Sequence, residues 1–176
     1  MPRASVASRA VRTRRRGKKW SPVLVNIVGD LLTINGNSSN GWFLPLCTNA
    51  NNTSTAPTAT VIKCGNFKVS FEIETGAGNY QSATGRAFIM FVPQGVNPDT
   101  NWPQQHPEYI MAWRSVQVGG SVSANTIQSR LKRNLNSGDG VYLIVQVWNY
   151  QTYSEEAPNP IYVKLVGAVT YVCCAN

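Results

Sequence analysis

The stretch Phe67-Lys-Val-Ser-Phe-Glu-Ile-Glu74 alternates apolar and polar side chains along its whole length. In an extended chain, a period of two sends one set of side chains inward and the other set outward. A strand with one apolar and one polar face is typical of an antiparallel sheet that covers a hydrophobic core on one side. This stretch therefore predicts a half-buried strand, and the segments around it decide the rest of the fold.

The other apolar segments are also typical of strands. The run Ala87-Phe-Ile-Met-Phe-Val92 contains no polar residue, so it predicts a strand buried on both faces. The remaining segments are rich in β-branched and aromatic residues, which strands favour, and no segment shows a sustained 3.6-residue apolar period with helix caps. The predicted strands are residues 23–28 with 31–34, 42–44, 67–73, 87–92, 109–118, 141–148 and 161–172.

Turn-forming residues separate these strands. The chain has 14 Gly and 10 Pro, and they cluster between the apolar segments, as in Gly76-Ala-Gly-Asn79 and Asn136-Ser-Gly-Asp-Gly140. Residues 35–60 are uncharged and rich in Asn, Thr and Ser, so they predict a long loop around one short strand at residues 42–44. Regularly spaced strands with turns between them indicate an all-β fold. We predict a single eight-stranded jelly-roll β-sandwich preceded by a flexible Arg-rich arm.

The positive charge of the chain lies almost entirely in that arm. The 176 residues include 16 Lys and Arg and 8 Asp and Glu, which gives a net charge of +8. Residues 1–20 hold eight of the basic residues and no acid, so residues 21–176 hold eight of each and are neutral. The chain therefore divides into a basic arm, residues 1–20, and a globular domain, residues 21–176. The basic residues of the arm are Arg3, Arg9, Arg12, Arg14, Arg15, Arg16, Lys18 and Lys19.

An arm of this composition predicts a polyanionic partner. Its like charges repel one another and it has little apolar surface to bury, so it should be flexible in water. Neutralising a phosphate releases condensed counterions, and the planar Arg guanidinium binds two phosphate oxygens at once. The alternative interpretation is a solvated tail or a nuclear-import signal only. The segment Arg14–Lys19 is compatible with both phosphate binding and import.

Within the globular domain, charge is densest at Arg130, Lys132 and Arg133. In a strand, Arg130 and Lys132 would point to one side, while Arg133 would share the other side with Leu131 and Leu135. Two interpretations remain open: a strand on an inner surface that contacts nucleic-acid backbone, or a subunit contact or solvated edge strand. We include Arg130 and Lys132 with the arm residues as candidate nucleic-acid-binding residues.

The globular domain has few charged and many aromatic residues, a composition typical of protein interfaces. Charged residues make up only 14% of the chain, against roughly 25% in typical soluble domains. The chain also contains 5 Trp, 7 Tyr and 5 Phe. Interface centres are depleted in charge and enriched in aromatic residues, so we expect extensive self-assembly.

The composition excludes several other classes of function. His106 is the only histidine and lies in a loop with two prolines, so the sequence predicts no catalytic residues and no enzyme. We expect no cofactor and no metal ligands. Glu72 and Glu74 share one strand face and could bind a cation or pair with Lys68, although a solvated or intersubunit face is favoured. No run of about 18 apolar residues is present, so we expect no membrane insertion.

The four cysteines are expected to be free thiols. The arm contains no apolar stretch of the length that a secretory signal needs. Disulfides are rare in proteins that are not secreted. The spacing of Cys47, Cys64, Cys173 and Cys174 matches no zinc-binding pattern, so we expect them to be small buried hydrophobic residues.

Four strings within residues 64–139 resemble segments of capsid proteins from circular, Rep-encoding single-stranded DNA viruses, the circovirus-like group and its unclassified relatives. The arm resembles this family in composition only. The last string is the most specific. The four strings are Cys64-Gly-Asn-Phe-Lys-Val-Ser-Phe-Glu-Ile73, Met90-Phe-Val-Pro-Gln-Gly95, His106-Pro-Glu-Tyr-Ile-Met-Ala-Trp-Arg114 and Ser129-Arg-Leu-Lys-Arg-Asn-Leu-Asn-Ser-Gly-Asp139.

This resemblance implies a viral capsid protein that forms a T=1 icosahedral shell and packages circular single-stranded DNA. It implies self-association into about 60 copies, a location in the virion, and a nuclear stage in the host with a nuclear-import receptor as a partner. The chain departs from circoviruses proper because both the arm and the whole chain are short. Its length is close to that of coat proteins of nanoviruses and of satellite RNA viruses.

Two alternatives therefore stay open. The chain could be the coat protein of a small satellite-type RNA virus, since the residues alone do not distinguish DNA from RNA. It could also be a cellular nucleic-acid-binding β-barrel with a basic tail, but such a module should carry basic and aromatic residues on its own sheet face. Here the domain is neutral and its aromatic residues lie within apolar runs.

Overall fold

The computed structural model describes residues 20–36, 38–49, 61–76, 83–118, 124–149 and 160–175. These residues form nine strands, one four-residue helix and one short 3₁₀ helix. None of the described helices has the length and apolar character needed to cross a membrane. The strands are β1 Ser21–Val28, β2 Leu32–Ile34, β3 Ser38–Thr48, β4 Ile62–Thr75, β5 Ala83–Val92, β6 Ile110–Gln117, β7 Asn125–Leu135, β8 Gly140–Asn149 and β9 Ile161–Ala175; the helices are α1 Trp102–Gln105 and the 3₁₀ helix Pro107–Tyr109.

The strands form two antiparallel sheets packed face to face. Sheet 1 has the order β1-β9-β4-β7, and β2 also pairs with β9; sheet 2 has the order β3-β8-β5-β6. Because β1 and β2 both pair with β9 on either side of Gly29 and Asp30, they act as one broken strand. Counted so, the first strand pairs with the eighth, the second with the seventh, the third with the sixth and the fourth with the fifth. This nested pairing is that of a jelly roll, and the predicted fold class is confirmed.

The predicted alternation along β4 positions the core. Phe67, Val69, Phe71 and Ile73 are all buried, whereas Lys68 on the opposite side is exposed. These inward residues belong to one hydrophobic cluster with the inward residues of β5 and β8 from the other sheet. Burial of a Val, Ile or Phe side chain contributes about 1.5–3 kcal/mol. The core between the sheets is therefore the main source of stability.

Sheet 2 is covered on its outer side as well, which explains the uniformly apolar β5. The connection from β5 to β6, residues 93–109, folds over this sheet and forms a second cluster that includes Met90, Trp102 and Ile144. The side-chain amide of Gln146 is buried in the same place, donates to the Thr100 carbonyl and is hydrogen-bonded to the Gln104 side chain. The predicted burial of residues 87–92 on both faces is confirmed.

The loop predicted for residues 35–60 is wrong in its first part. A strand of eleven residues, β3, replaces the short strand expected at residues 42–44. It pairs with β8 along its whole length, and the Trp42 indole is buried and donates to the Asp30 carbonyl across 2.7 Å. Tertiary pairing here overrides the low strand propensity of Asn, Ser and Gly. Residues 50–60 of the predicted loop lie outside the described residues.

Candidate nucleic-acid interface

The structure locates the root of the basic arm. Trp20 is half-buried and immediately precedes β1, whose first residue, Ser21, pairs with Cys173 of β9. The arm is therefore attached at one end of sheet 1. The predicted arm residues lie outside the described residues; they are Arg3, Arg9, Arg12, Arg14, Arg15, Arg16, Lys18 and Lys19.

Lys132 of β7 reaches this root. Its Nζ lies 5.1 Å from the centroid of the Trp20 ring, a cation–π contact that contributes about 0.5–1 kcal/mol at an exposed site. Lys132 pairs with Gly65 of β4, and a Cβ at Gly65 would lie only 2.7 Å from Lys132 Cγ. The missing side chain leaves room for the lysine stem to pass over β4. A basic side chain of the sandwich is thus placed at the point where the arm begins.

A β-bulge creates this arrangement. Gly65 and Asn66 interrupt the regular register of β4 with both of its neighbours, and Asn66 has a positive φ of 55°. Before the bulge Cys64 faces the core, whereas after it Phe67 does so, which changes the parity of the inward residues. Bulges commonly re-aim side chains in this way.

The two sides of β7 are occupied largely as predicted. Arg130 and Lys132 are exposed, whereas Arg133 is half-buried and Leu135 is fully buried. Leu131 was expected to anchor the apolar side, but it is 51% exposed. The reason is the register: Ser129 pairs with Phe67 and Lys132 with Gly65, so β7 fits one more residue than β4 into this interval. Leu131 lies in that irregular interval.

Arg133 contacts an aromatic ring. Its guanidinium Cζ lies 5.4 Å from the centroid of the Phe91 ring. Phe91 belongs to β5 of sheet 2. Arg133 therefore bridges the two sheets at the edge of the core, and we assign it to stability rather than to ligand binding.

β7 is the last strand of sheet 1, so the basic segment lies on an edge strand. This position agrees with the interpretation of residues 130–133 as part of an edge strand, since Lys and Arg on an edge discourage unwanted strand pairing. The charge around Arg130 and Lys132 decides how suitable this surface is for contact with nucleic acid.

The basic side chains of the globular domain differ in whether other residues of the domain contact them. The Arg86 guanidinium Cζ lies 5.5 Å from the centroid of the Trp148 ring, and Arg114 Nη1 donates to the Thr126 carbonyl across 2.7 Å. By contrast, four cations have no hydrogen bond, ion pair or ring contact within the part of the chain that the structure describes. These four are Lys63, Lys68, Arg130 and Lys164.

Three of these unengaged cations lie on the same two paired strands as Lys132. Lys63 and Lys68 alternate with inward-facing neighbours on β4, and they pair with Asn134 and Gln128 of β7. We call the exposed side of β4 and β7 that carries Lys63, Lys68, Arg130 and Lys132 the basic face. Sequence reasoning missed Lys63 and Lys68 as members. The sequence shows that Lys63 and Lys68 alternate with apolar residues, but their pairing with the basic segment of β7 depends on the strand register.

The acids of β4 lie at its other end. Along the strand, Glu72 is about 13 Å and Glu74 about 20 Å from Lys68, at roughly 3.3 Å per residue, and Glu74 pairs with Lys164 of β9. The one ion pair among the described residues joins His106 to Glu108, so the pairing considered between Glu72 or Glu74 and Lys68 is not formed. Lys63 and Lys132 therefore lie towards the arm root, whereas Glu72, Glu74 and Lys164 lie towards the other end of sheet 1.

His106 belongs to the cover of sheet 2. Its Nδ1 lies 3.1 Å from Glu108 Oε1, and its ring centroid lies 3.9 Å from that of Trp102. A hydrogen bond from its own backbone N–H, and then the contact with His106, hold the pKa of the Glu108 carboxyl below its usual value. These contacts fix the β5–β6 connection, and they place His106 in a structural role.

No protein-family model and no curated protein matches the chain. Solved structures do resemble it. A structure of Desmodium yellow mottle tymovirus is 12% identical, with 97% of this chain and 94% of that chain covered and a TM-score of 0.40. A structure of maize chlorotic mottle virus is 10% identical, with 84% of this chain and 92% of that chain covered and a TM-score of 0.40. A structure of the VP2 subviral particle of infectious bursal disease virus is 8% identical, with 86% of this chain and 32% of that chain covered and a TM-score of 0.38. These structural neighbours are viral capsid proteins.

Proposed function

We propose that the chain is a viral capsid protein that self-assembles into a small icosahedral shell and packages single-stranded nucleic acid through its basic arm. The observation that carries this proposal is the segregation of charge. A +8 arm is attached to a neutral sandwich, and it is attached beside the four cations of the basic face. The alternative, a cellular β-barrel that binds nucleic acid on its own sheet, would need exposed aromatic residues on the basic face to stack with bases. Trp20, at the arm root, is instead covered by Lys132.

Self-assembly is supported by apolar side chains that the sandwich leaves exposed. On sheet 1, Leu24 is 67% and Val28 is 59% exposed, and Val28 pairs with Val166, which is also exposed. On sheet 2, Phe43 and Trp113 are exposed. Clustered apolar residues on a surface of low charge mark protein contacts. We assign these residues to contacts between copies of the chain.

The finer parts of the proposal follow the sequence resemblance described above. They are a T=1 shell of about 60 copies, a circular single-stranded DNA cargo and passage through the host nucleus by way of an import receptor. About 60 arms of +8 would supply roughly 480 positive charges, each able to offset about one phosphate. That charge would neutralise part of a genome of one or two thousand nucleotides.

The arm is the part to test. We expect a chain lacking residues 2–19 to fold and assemble, because the described core begins after Trp20, but to yield particles with little nucleic acid. The measurement is the ratio of absorbance at 260 and 280 nm for purified particles. Replacing the eight basic arm residues with Gln should have the same effect, whereas Lys164→Gln, a single exposed lysine outside the basic face, should not. An unchanged ratio in both arm variants would contradict the role of the arm.

Nuclease digestion of the particle contents then separates the cargo types. Resistance to RNase and degradation by DNase after particle disruption would support the DNA proposal. The reverse result would identify a coat protein of the satellite RNA type instead. Particles that contain neither, made by the full chain in cells, would contradict packaging itself.

A further inference from the structure

The outer face of sheet 1 carries three neighbouring rows of side chains that run across its strands. The middle row has small or uncharged polar side chains. The row two residues closer to the arm root carries Leu24 and Lys68, and the row two residues further away carries Val28 and Glu72. The root-side row is Leu24, Thr170, Lys68 and Gln128; the middle row is Asn26, Ala168, Ser70 and Thr126; the far row is Val28, Val166 and Glu72.

These rows combine apolar surface with two unpaired charges. Leu24, Val28 and Val166 are exposed, Lys68 is also exposed, and Glu72 is half-buried. The one ion pair among the described residues lies elsewhere, so neither Lys68 nor Glu72 has an oppositely charged partner in that part of the chain. A partner for this face would therefore need apolar side chains, a carboxylate opposite Lys68 and a cation opposite Glu72.

A second copy of the same face meets this requirement. Leu24 and Val28 lie at equal distances on either side of Asn26, and Lys68 and Glu72 lie at equal distances on either side of Ser70. A two-fold axis that runs along the middle row, between two copies, reverses the direction of the strands. It places Leu24 of each copy over Val28 of the other and Lys68 of each over Glu72 of the other, as an isologous contact requires.

We propose that the outer face of sheet 1 packs against the same face of a second copy around this two-fold axis. Sheets that pack face to face lie about 10 Å apart and keep their strands within about 30° of each other. The apolar pairs then fill the space beside the small side chains of the middle row, and the charged pairs meet across it. A copy with its strands parallel would bring Lys68 level with Lys68 and Glu72 level with Glu72, which like-charge repulsion disfavours.

The dimer rests on the proposed role of Leu24 and Val28 in contacts between copies, and it adds the surface, the symmetry and the charge pairing. It assigns Lys68 of the basic face to the second copy. Lys63, Arg130 and Lys132 lie beyond the root-side row and remain for nucleic acid. Because the two copies are antiparallel, their arms begin at opposite ends of the dimer.

The test uses the unaltered full-length chain, freed of nucleic acid by nuclease and a high-salt wash. A carbodiimide joins a lysine amine directly to a carboxylate that it contacts. Lys68 and Glu72 lie about 13 Å apart along β4, further than the two side chains can span, so a direct link between them forms only between copies. We expect a two-chain band on a denaturing gel, and peptide mass mapping of that band should find Lys68 linked to Glu72.

Charge-reversal variants test the symmetry. In sedimentation analysis, Lys68→Glu alone and Glu72→Lys alone should each weaken self-association by about tenfold or more, because each places like charges opposite one another. An equimolar mixture of the two variants should associate again, since each then supplies the charge that the other lacks. Arg130→Glu, a reversal beyond the root-side row, is the control and should not weaken association. Circular dichroism checks that each variant is folded.

The outcomes separate this dimer from the shell. A Lys68–Glu72 link in dimers that never form closed particles would support the dimer and contradict the shell. Closed particles that give no Lys68–Glu72 link would overturn the dimer and leave the shell intact. A chain that stays monomeric would overturn the dimer, and so would folded single variants that associate as tightly as the unaltered chain. Because the link is mapped on the unaltered chain, a variant that fails to fold leaves that result unaffected.

Discussion

The outer faces of the two sheets differ in how the chain covers them. Sheet 2 carries its own cover, since residues 93–109 bury Met90, Ile144 and Trp102 against it. Sheet 1 has no such cover among the described residues, and it exposes Leu24, Val28 and the basic face instead. The outer face of sheet 2 is therefore largely covered within the chain, although Phe43 and Trp113 stay exposed on that sheet, whereas sheet 1 is open and receives the root of the arm.

This difference separates residues that serve folding from residues that serve partners. A side chain beneath the cover of sheet 2 loses packing when it is truncated, so its removal should lower the free energy of unfolding. A side chain on the open face of sheet 1 has little packing to lose within the chain. Its removal should change assembly or cargo while leaving the fold intact. Matched variants on the two faces test this directly.

The largest effect on stability is expected for Trp102→Ala. Trp102 is 9% exposed, and its Nε1 has no hydrogen-bond partner within the described residues, so the change removes packing alone. We expect a loss of about 3–5 kcal/mol in the free energy of unfolding, measured by urea denaturation. With both variants measured as unassembled protein, Trp113→Ala is the control, since Trp113 is 62% exposed and its free energy of unfolding should stay within about 0.5 kcal/mol of the unaltered chain. Equal losses for both would show that the cover is not a packed layer.

On the open face, the double variant Leu24→Lys with Val28→Lys should block assembly without unfolding the chain. Both side chains are exposed on β1, so the change adds charge to a surface that we assign to a neighbouring copy. Size-exclusion chromatography and circular dichroism measure the two properties. Folded, unassembled protein is the predicted result. Particles formed at normal yield would remove this surface from the interface.

A smaller effect is expected for Arg130→Gln with Lys132→Gln. These residues should contact phosphate by charge rather than by base. Packaged nucleic acid should fall while particle diameter is unchanged. For binding of a single-stranded oligonucleotide to unassembled protein, the slope of the logarithm of the binding constant against the logarithm of the salt concentration should become less steep by about 0.7 for each phosphate contact removed. Lys164→Gln is the control at the other end of sheet 1. Loss of assembly in the folded double variant would instead make the pair a subunit contact.

The smallest effect is expected for Arg133→Gln. This change removes the contact with Phe91 and should lower the free energy of unfolding by about 1 kcal/mol. Thermal melting measures it, and Arg130→Gln provides a comparison with an exposed neighbour. Packaged nucleic acid should not change. A drop in packaging without a drop in melting temperature would move Arg133 from the core edge to the cargo.

The sequence was sufficient for the features that depend on local pattern. The alternation around Phe67 predicted the inward side of β4, and the uniform run at residues 87–92 predicted burial on two faces. The arm was visible from charge alone. What could not be predicted depends on pairing between distant strands. The length of β3 is fixed by β8, and the irregularities at Leu46 and Asn66 are fixed by register.

The same limit applies to the basic face. Arg130 and Lys132 were found from their density in the sequence. Lys63 and Lys68 join them only because β4 pairs with β7, and Trp20 joins them only because Lys132 crosses Gly65. A pattern within one strand gives the side on which a residue lies. It does not give the neighbours on that side.

If the open sandwich with its basic arm is a shell subunit, the full-length chain should form particles by itself. We would test this by electron microscopy of the purified full-length chain, at a concentration where circular dichroism shows folded β structure. We expect closed spherical particles of one uniform diameter. A folded chain that remains a monomer or small oligomer under all assembly conditions, with and without single-stranded nucleic acid, would contradict it.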